Sequence, residues 1–214
     1  MVTPTLFETD REVICIEDTD NIQHNKNTHV FAICITSDNK PIVAARRSSF
    51  VFQETMSQRT SPTSTLKVSK HLLKYMYPNE IKEIFRRLQK GSINNDTYIL
   101  SNCFEEIILL GGRLNKSESI NDCLYREIRE ESDSKISIKH ISNKFLKLTI
   151  FDKLFNKTYI SYCTICYINE SLYESTSSRI YNVEIRGLRS LLDCRNNDKY
   201  KYLLFIYNTL VNTK

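Results

Sequence analysis

Three carboxylates stand close together at Glu127, Glu130 and Glu131, at spacings of three and four residues. On a helix those spacings share one face. Like charges stacked there repel, so the cluster has a use only if a cation relieves it. Magnesium and manganese prefer oxygen ligands and bind through a few carboxylates plus substrate phosphates. An ion held there would neutralise pyrophosphate oxygens and lower the pKa of a bound water. Upstream stand Gly112, then Glu118 after five residues, then Arg126 after seven more. Arg126 points to another side of the helix, where it is expected to clamp the turn at 111–117. Glu118, at the helix start, suits the positive end of the macrodipole.

These groups need a strand, a turn and a helix to position them. Glu105–Leu110 reads as a strand running into Gly111-Gly112, and a helix follows from about Ser119 to Ser132. Ser119 with Asp122 resembles a capping pair, and Ile120, Cys123, Leu124 and Ile128 form the apolar side. Further strands are expected at Val13–Ile16, Val30–Thr36, Pro41–Arg46, Ile136–Ile138, Phe145–Ile150 and Tyr159–Ile168. Ser37-Asp38-Asn39-Lys40 turns the second of these into the third. Residues 54–100 read differently: a helix over Leu66–Tyr77, then a second after Pro78 with Ile81, Ile84, Phe85 and Leu88 on one stripe, closed by Lys90-Gly91. This predicts a helical insertion at 54–100 within a domain made of 1–53 and 101–214. A last helix, Lys199–Val211, would turn Tyr202, Phe205, Ile206 and Leu210 inward behind an Asp198 N-cap. The alternation predicts an α/β fold with a mixed sheet between helices.

The chain has 214 residues, 41% hydrophobic and 26% charged, with a net charge of +5. That balance suits a globular domain, and the mild basic excess suits a polyanionic substrate. Seven cysteines, an odd number partly inside apolar runs, favour reduced thiols over a disulfide framework. Cys163 and Cys166 form a CxxC, but on a strand the two point to opposite faces, which argues against zinc. No leader pattern is visible, and no apolar run is long enough to span a bilayer.

The series Gly112, Glu118, Arg126-Glu127-Ile128, Glu130-Glu131 resembles the Nudix box. It departs at the end: the usual glycine and aliphatic residue are replaced by Asp133 and Ser134. The glycine normally ends the helix with positive φ, which Asp tolerates better than most residues. Other segments extend the likeness over nearly the whole chain. They are Thr28-His29-Val30-Phe31-Ala32, Ala45-Arg46-Arg47-Ser48-Ser49-Phe50, Ile84-Phe85-Arg86-Arg87-Leu88, Lys90-Gly91-Ser92-Ile93-Asn94-Asn95 and Asp152-Lys153-Leu154-Phe155-Asn156-Lys157. Together they resemble the smaller kind of poxvirus mRNA-decapping Nudix hydrolase.

That resemblance implies a Nudix α/β/α sandwich with a helical insertion and hydrolysis of the 5′ cap of mRNA to 7-methyl-GDP and 5′-monophosphate RNA. It also implies Mg2+ or Mn2+ as cofactor, capped mRNA as partner and the cytoplasm of an infected host cell as location. The metal ligands would be Glu127, Glu130, Glu131 and, outside the box, Glu184, with Glu130, Glu131 and Glu184 catalytic. A cationic 7-methylguanine ring is attracted to aromatic faces, and the chain has no Trp. By resemblance Phe50 and Tyr159 form the sandwich, with Glu12 and Asp152 accepting hydrogens from the base edge. Arg46 and Arg47 could meet phosphates, and Lys82, Arg86, Arg87 and Lys90 form either a solvated helix face or an RNA-contacting one. Two alternatives stay open: an inert cap- or RNA-binding module on a Nudix scaffold, and a Nudix hydrolase of free nucleoside diphosphate derivatives.

Overall fold

The computed structural model describes residues 3–23, 27–57, 68–88, 105–193 and 197–212. The chain runs β1 (Thr5–Glu8), β2 (Glu12–Thr19), β3 (His29–Ile35), β4 (Pro41–Arg46), α1 (Phe50–Ser57), α2 (Lys70–Leu73), α3 (Pro78–Leu88), β5 (Ile107–Ile108), β6 (Leu110–Arg113) and α4 (Ile120–Glu131). It continues with β7 (Ile138–Ile141), β8 (Phe145–Asp152), β9 (Lys157–Ile168), α5 (Leu172–Ser177), β10 (Val183–Gly187), a 3-10 turn at Leu188–Asp193 and α6 (Asn197–Asn212). Two compact units result: 1–45 with 107–214, and 46–106.

In the first unit the strands line up as β1-β2-β8-β9-β3-β4-β10, with β5 on β4, β6 on β3 and β7 on β9. β3 and β9 are parallel, while β2–β8 and β8–β9 are antiparallel. The sheet is therefore mixed, and helices cover both its faces. Alternation along β3 explains why. Ile33 and Ile35 join one buried cluster with Leu203, Ile206 and Leu210 of α6. Val30, Ala32 and Cys34 join the other, with Leu124 and Ile128 of α4. Cys163 falls in the α6 cluster and Cys166 in the α4 cluster, so the CxxC thiols face opposite ways. Burial raises the Cys163 thiol and pushes that of Cys166 up to about 12.

Several element expectations shift. The expected strand at Glu105–Leu110 is two short pieces, because β5 pairs with β4 whereas β6 crosses to β3. The last helix begins at Asn197, so Asp198 lies in its first turn, 3.2 Å from Lys201, rather than capping it. Of the helix expected at Leu66–Tyr77, the described part holds only the single turn α2. Gly91 and Lys90 lie outside the described residues, as do Cys103 and Cys194.

The second unit is wider than the expected insertion at 54–100. The Ala45-Arg46-Arg47-Ser48-Ser49-Phe50 segment ends on the first residue of α1, Phe50. Ser49 caps that helix, its Oγ accepting the Phe52 N–H at 3.2 Å. Pro78 begins α3 as its first residue, and Glu80 reaches back to the Tyr77 N–H at 2.8 Å, the reciprocal half of a helix N-terminus.

Candidate active site

The carboxylate helix starts at Ser119, whose side chain accepts the Asp122 N–H at 3.1 Å. It ends in two consecutive residues of positive φ, Asp133 at 50° and Ser134 at 59°. Asp133 thus takes the conformation for which the Nudix pattern uses glycine. Its carboxylate also accepts the Tyr181 N–H at 2.6 Å, which glycine could not do.

Arg126 organises the entrance to this helix. Its Nε and Nη2 donate to the two oxygens of Glu118 at 2.7 and 2.8 Å. Nη2 also donates to the Arg113 carbonyl at 3.1 Å, and Glu118 accepts the Asn115 N–H at 3.1 Å. One side chain therefore ties both ends of the turn between β6 and α4. The guanidinium hydrogen bonds hold the Glu118 carboxyl down at about 2. Fork geometry and charge on both partners make this a strong pair.

The remaining nitrogen of Arg126 serves the ridge. Nη1 donates to Glu127 at 2.6 Å and lies 3.5 Å from Glu130. Glu131 turns the other way and accepts the Gly111 N–H at 2.9 Å. Gly112 gives Glu127 its space: a Cβ on residue 112 would lie 2.4 Å from the Glu127 carboxyl carbon. Glu127 and Glu131 are half-buried against Gly111-Gly112, and Glu130, with its side chain 63% exposed, is the open member.

These residues fit a hard divalent cation. The donors are carboxylate oxygens, and two of them already share one positive nitrogen. Among the described residues no three Asp, Glu, His or Cys side chains enclose a metal-sized cage. An open ridge suits an ion that keeps its waters and completes its shell with substrate phosphate.

Glu184 lies on β10. Its neighbours Val183 and Ile185 are buried in the α4 cluster, so Glu184 points to the other side of the sheet, where Arg186 is 3.3 Å away. The structure does not bring it onto the α4 ridge.

Glu12, Asp152 and Tyr159 do come together. Glu12 is paired with Asp152 across β2–β8, and Ile150 with Tyr159 across β8–β9. Residues two apart share a face, so all three side chains rise from the same face of adjacent strands. Two acids directly opposite need cations, and they have them. Arg11 donates to Asp152 at 3.2 Å, and Lys199 reaches Glu12 at 3.8 Å. Asp152 is buried, and its other oxygen accepts the Leu154 and Phe155 N–H groups at 2.8 and 3.0 Å. It is committed to the β8–β9 turn, which leaves Glu12 as the more available acceptor. Arg11, which also lies 5.7 Å from the Phe155 ring centre, was not anticipated from sequence. Phe50 belongs to the second unit, with the Arg46 guanidinium 6.0 Å from its ring.

The chain is 60% identical to the mRNA-decapping protein D9 of Rabbit fibroma virus, over 98% of this chain and 100% of that one. It is 57% identical to the mRNA-decapping protein OPG121 of Vaccinia virus (strain Copenhagen), over 98% of this chain and 96% of the relative. A candidate Nudix hydrolase of Fowlpox virus, FPV054, is 50% identical over 97% of this chain and 89% of its own. Among solved structures, the MutT protein of Methanosarcina mazei Go1 aligns over 91% of this chain and 100% of its own, at a TM-score of 0.41 and 12% identity. No protein-family model matches. With that much sequence shared along their whole lengths, the chain belongs to the poxvirus family of mRNA-decapping Nudix proteins.

Proposed function

We propose that this chain hydrolyses the 5′ cap of 7-methylguanosine-capped mRNA, releasing 7-methyl-GDP and RNA with a 5′-monophosphate. What carries the reading is the glutamate ridge docked on Gly111-Gly112, in a chain 60% identical to a viral mRNA-decapping protein. Nudix hydrolases generally need a divalent metal. We assign Mg2+ or Mn2+ to Glu127, Glu130 and Glu131; Glu184, which faces the other side of the sheet, is left out of this set. When bound, the ion supplies Lewis-acid stabilisation of charge building on the pyrophosphate oxygens.

The chain's own residues do the positioning. The Gly111 N–H aims Glu131, and Arg126 aims Glu127. Holding those two leaves Glu130 exposed toward substrate. In this reading Tyr159 and Phe50 each offer an aromatic face to the methylated base. Each face contributes about 0.5–2 kcal/mol, depending on how far water is excluded. Glu12 accepts the N1 and N2 hydrogens of the base, and Asp152, fixed by Arg11, holds the turn before Tyr159. Capped mRNA is the partner, in the cytoplasm of the infected cell. No helix among the described residues is long and apolar enough to cross a membrane.

The test is product identity from cap-labelled, 7-methylated RNA with Mn2+, with and without chelator. Release of 7-methyl-GDP that stops with chelator supports the reading. Release of 7-methyl-GMP, or turnover without metal, overturns the cut site or the mechanism. Tight cap binding without turnover would favour the inert binding module. Indifference to competing uncapped RNA would favour a hydrolase of free nucleotides.

A further inference from the structure

The second unit contains a buried carboxylate that the chemistry above does not use. Glu80, at the start of α3, is only 4% exposed. One oxygen accepts the Ser48 hydroxyl at 2.7 Å and the Ser49 N–H at 2.7 Å. The other accepts the Ser49 hydroxyl at 2.6 Å and the Tyr77 N–H at 2.8 Å. Burying a carboxylate is costly unless donors surround it, and three of these four donors come from the two residues just before Phe50.

A second set of bonds pins the same segment. The Tyr77 hydroxyl donates to the Arg46 carbonyl at 2.9 Å and accepts the Glu106 N–H at 3.0 Å. Arg46 N–H donates to the Glu106 carbonyl at 2.8 Å, and Phe50 N–H to the Glu106 carboxylate at 2.9 Å. Ser49 is also the N-cap of α1, so fixing Ser49 fixes the helix on which Phe50 is the first residue. The backbone from Arg46 to Phe50 is therefore held at both ends and in its middle. The Phe50 ring, 36% exposed, projects from this held frame.

We propose that Glu80 is a positioning residue for cap recognition. It holds the Arg46–Phe50 segment so that Phe50 presents its ring to the methylated base before substrate arrives. This rests on the reading of Phe50 as a cap-stacking residue. Pre-set aromatic groups bind more tightly because less ordering remains to be done on binding. Glu80→Gln keeps the size but replaces one acceptor oxygen by a donor facing hydroxyl and N–H donors.

The test measures inhibition of cap hydrolysis by 7-methyl-GDP and by uncapped RNA in the full-length chain, alongside KM, kcat and thermal melting. Expected for Glu80→Gln is a rise of about tenfold in the inhibition constant of 7-methyl-GDP and in KM. The kcat and the inhibition constant of uncapped RNA should stay within about twofold. Phe50→Ala should show the same pattern, and the double variant should lose little more than either alone. A merely structural role would lower the active fraction, and with it kcat, and leave the 7-methyl-GDP constant unchanged; that result overturns the proposal. If Phe50→Ala weakens 7-methyl-GDP and Glu80→Gln does not, Glu80 does not position the ring, while the stacking role stands. If Phe50→Ala itself has no effect, the stacking role fails and takes the proposal with it. Should Glu80→Gln not fold, Ser48→Ala removes a single bond to Glu80. It should then raise the 7-methyl-GDP constant about two- to threefold, and the absence of a rise overturns the proposal.

Discussion

Adjacent glycines at 111 and 112 should fail in opposite ways when replaced by alanine. At Gly112 the added methyl would lie 2.4 Å from the Glu127 carboxyl carbon and one oxygen, and 2.6 Å from the other oxygen. Non-bonded carbon contacts settle near about 3.5–4.0 Å, so the carboxylate must retreat by roughly 1 Å or more. That movement strains its 2.6 Å bond from Arg126. A partly exposed ion pair contributes only about 0.5–1 kcal/mol. Replacing glycine where φ is not positive returns about 0.4–1 kcal/mol by restricting the unfolded chain. The two nearly cancel, so the melting temperature of Gly112→Ala should move by no more than about 3 °C. Activity should fall about a hundredfold, the usual consequence of misplacing a group by about 1 Å. At Gly111 φ is +136°, and the added methyl would lie 2.2 Å from the Val30 carbonyl oxygen and 2.8 Å from the Phe31 Cα. Those atoms are backbone in a buried strand and cannot swing aside. Gly111→Ala should lose at least about 3 kcal/mol, or roughly 10 °C in melting temperature. Cap-release kinetics and thermal melts of the two variants decide the matter. Near-normal turnover by Gly112→Ala would refute the claim that the glycine seats a working Glu127. Equal loss of stability in both would refute the contrast.

Glu130→Gln changes an exposed side chain and should leave stability unchanged within about 0.5 kcal/mol. Metal-dependent cap release should fall at least about a hundredfold, and undiminished turnover would remove Glu130 from the chemistry. Glu118 gives a pH signature. Its folded-state value of about 2 lies below the ordinary 4.5, chiefly through hydrogen bonds from Arg126. The stabilisation is therefore fully present above about 4.5 and lost as pH falls toward about 2. Discounted for solvent screening, it amounts to about 1–2 kcal/mol. Wild type should melt above Glu118→Gln at neutral pH, with the gap closing across that acid window; a gap constant with pH would contradict it. Glu12→Gln should weaken inhibition by 7-methyl-GDP about tenfold at unchanged stability. Asp152→Asn should chiefly lower stability, by about 1–3 kcal/mol, because Asp152 serves Arg11 and the turn. The reverse pattern would exchange their roles.

What sequence could reveal depended on how locally each interaction is encoded. α4 was readable because its cap, apolar stripe and acidic face all fall within one short run. The strand alternation that sends Cys163 and Cys166 into opposite clusters was readable for the same reason. Arg11 and Asp152 are 141 residues apart, and neither stands in a pattern that announces the other. Glu80 meets Ser49 across 31 residues. Its position three residues into α3 advertised only a helix start, the weaker half of what it does. The helix that begins at Phe50 is not legible locally, because its cap is fixed by a residue 31 positions away. The Ser49 cap, itself bonded to Glu80, turns the segment into a helix.

The ridge also explains why residue 126 is arginine rather than merely basic. Three of its nitrogens are committed in different directions: Nε to one Glu118 oxygen, Nη2 to the other and to the Arg113 carbonyl, and Nη1 to Glu127 with Glu130 beyond. Lysine carries its donors on a single atom at the end of a flexible stem and cannot span that arc. It could neutralise one carboxylate but not tie the turn to the helix at the same time. Because Glu118 is satisfied by the Nε/Nη2 edge, Nη1 is left to lower the repulsion between Glu127 and Glu130. The acidic face can therefore fold before any cation reaches it, with Glu127 already held in place by Arg126.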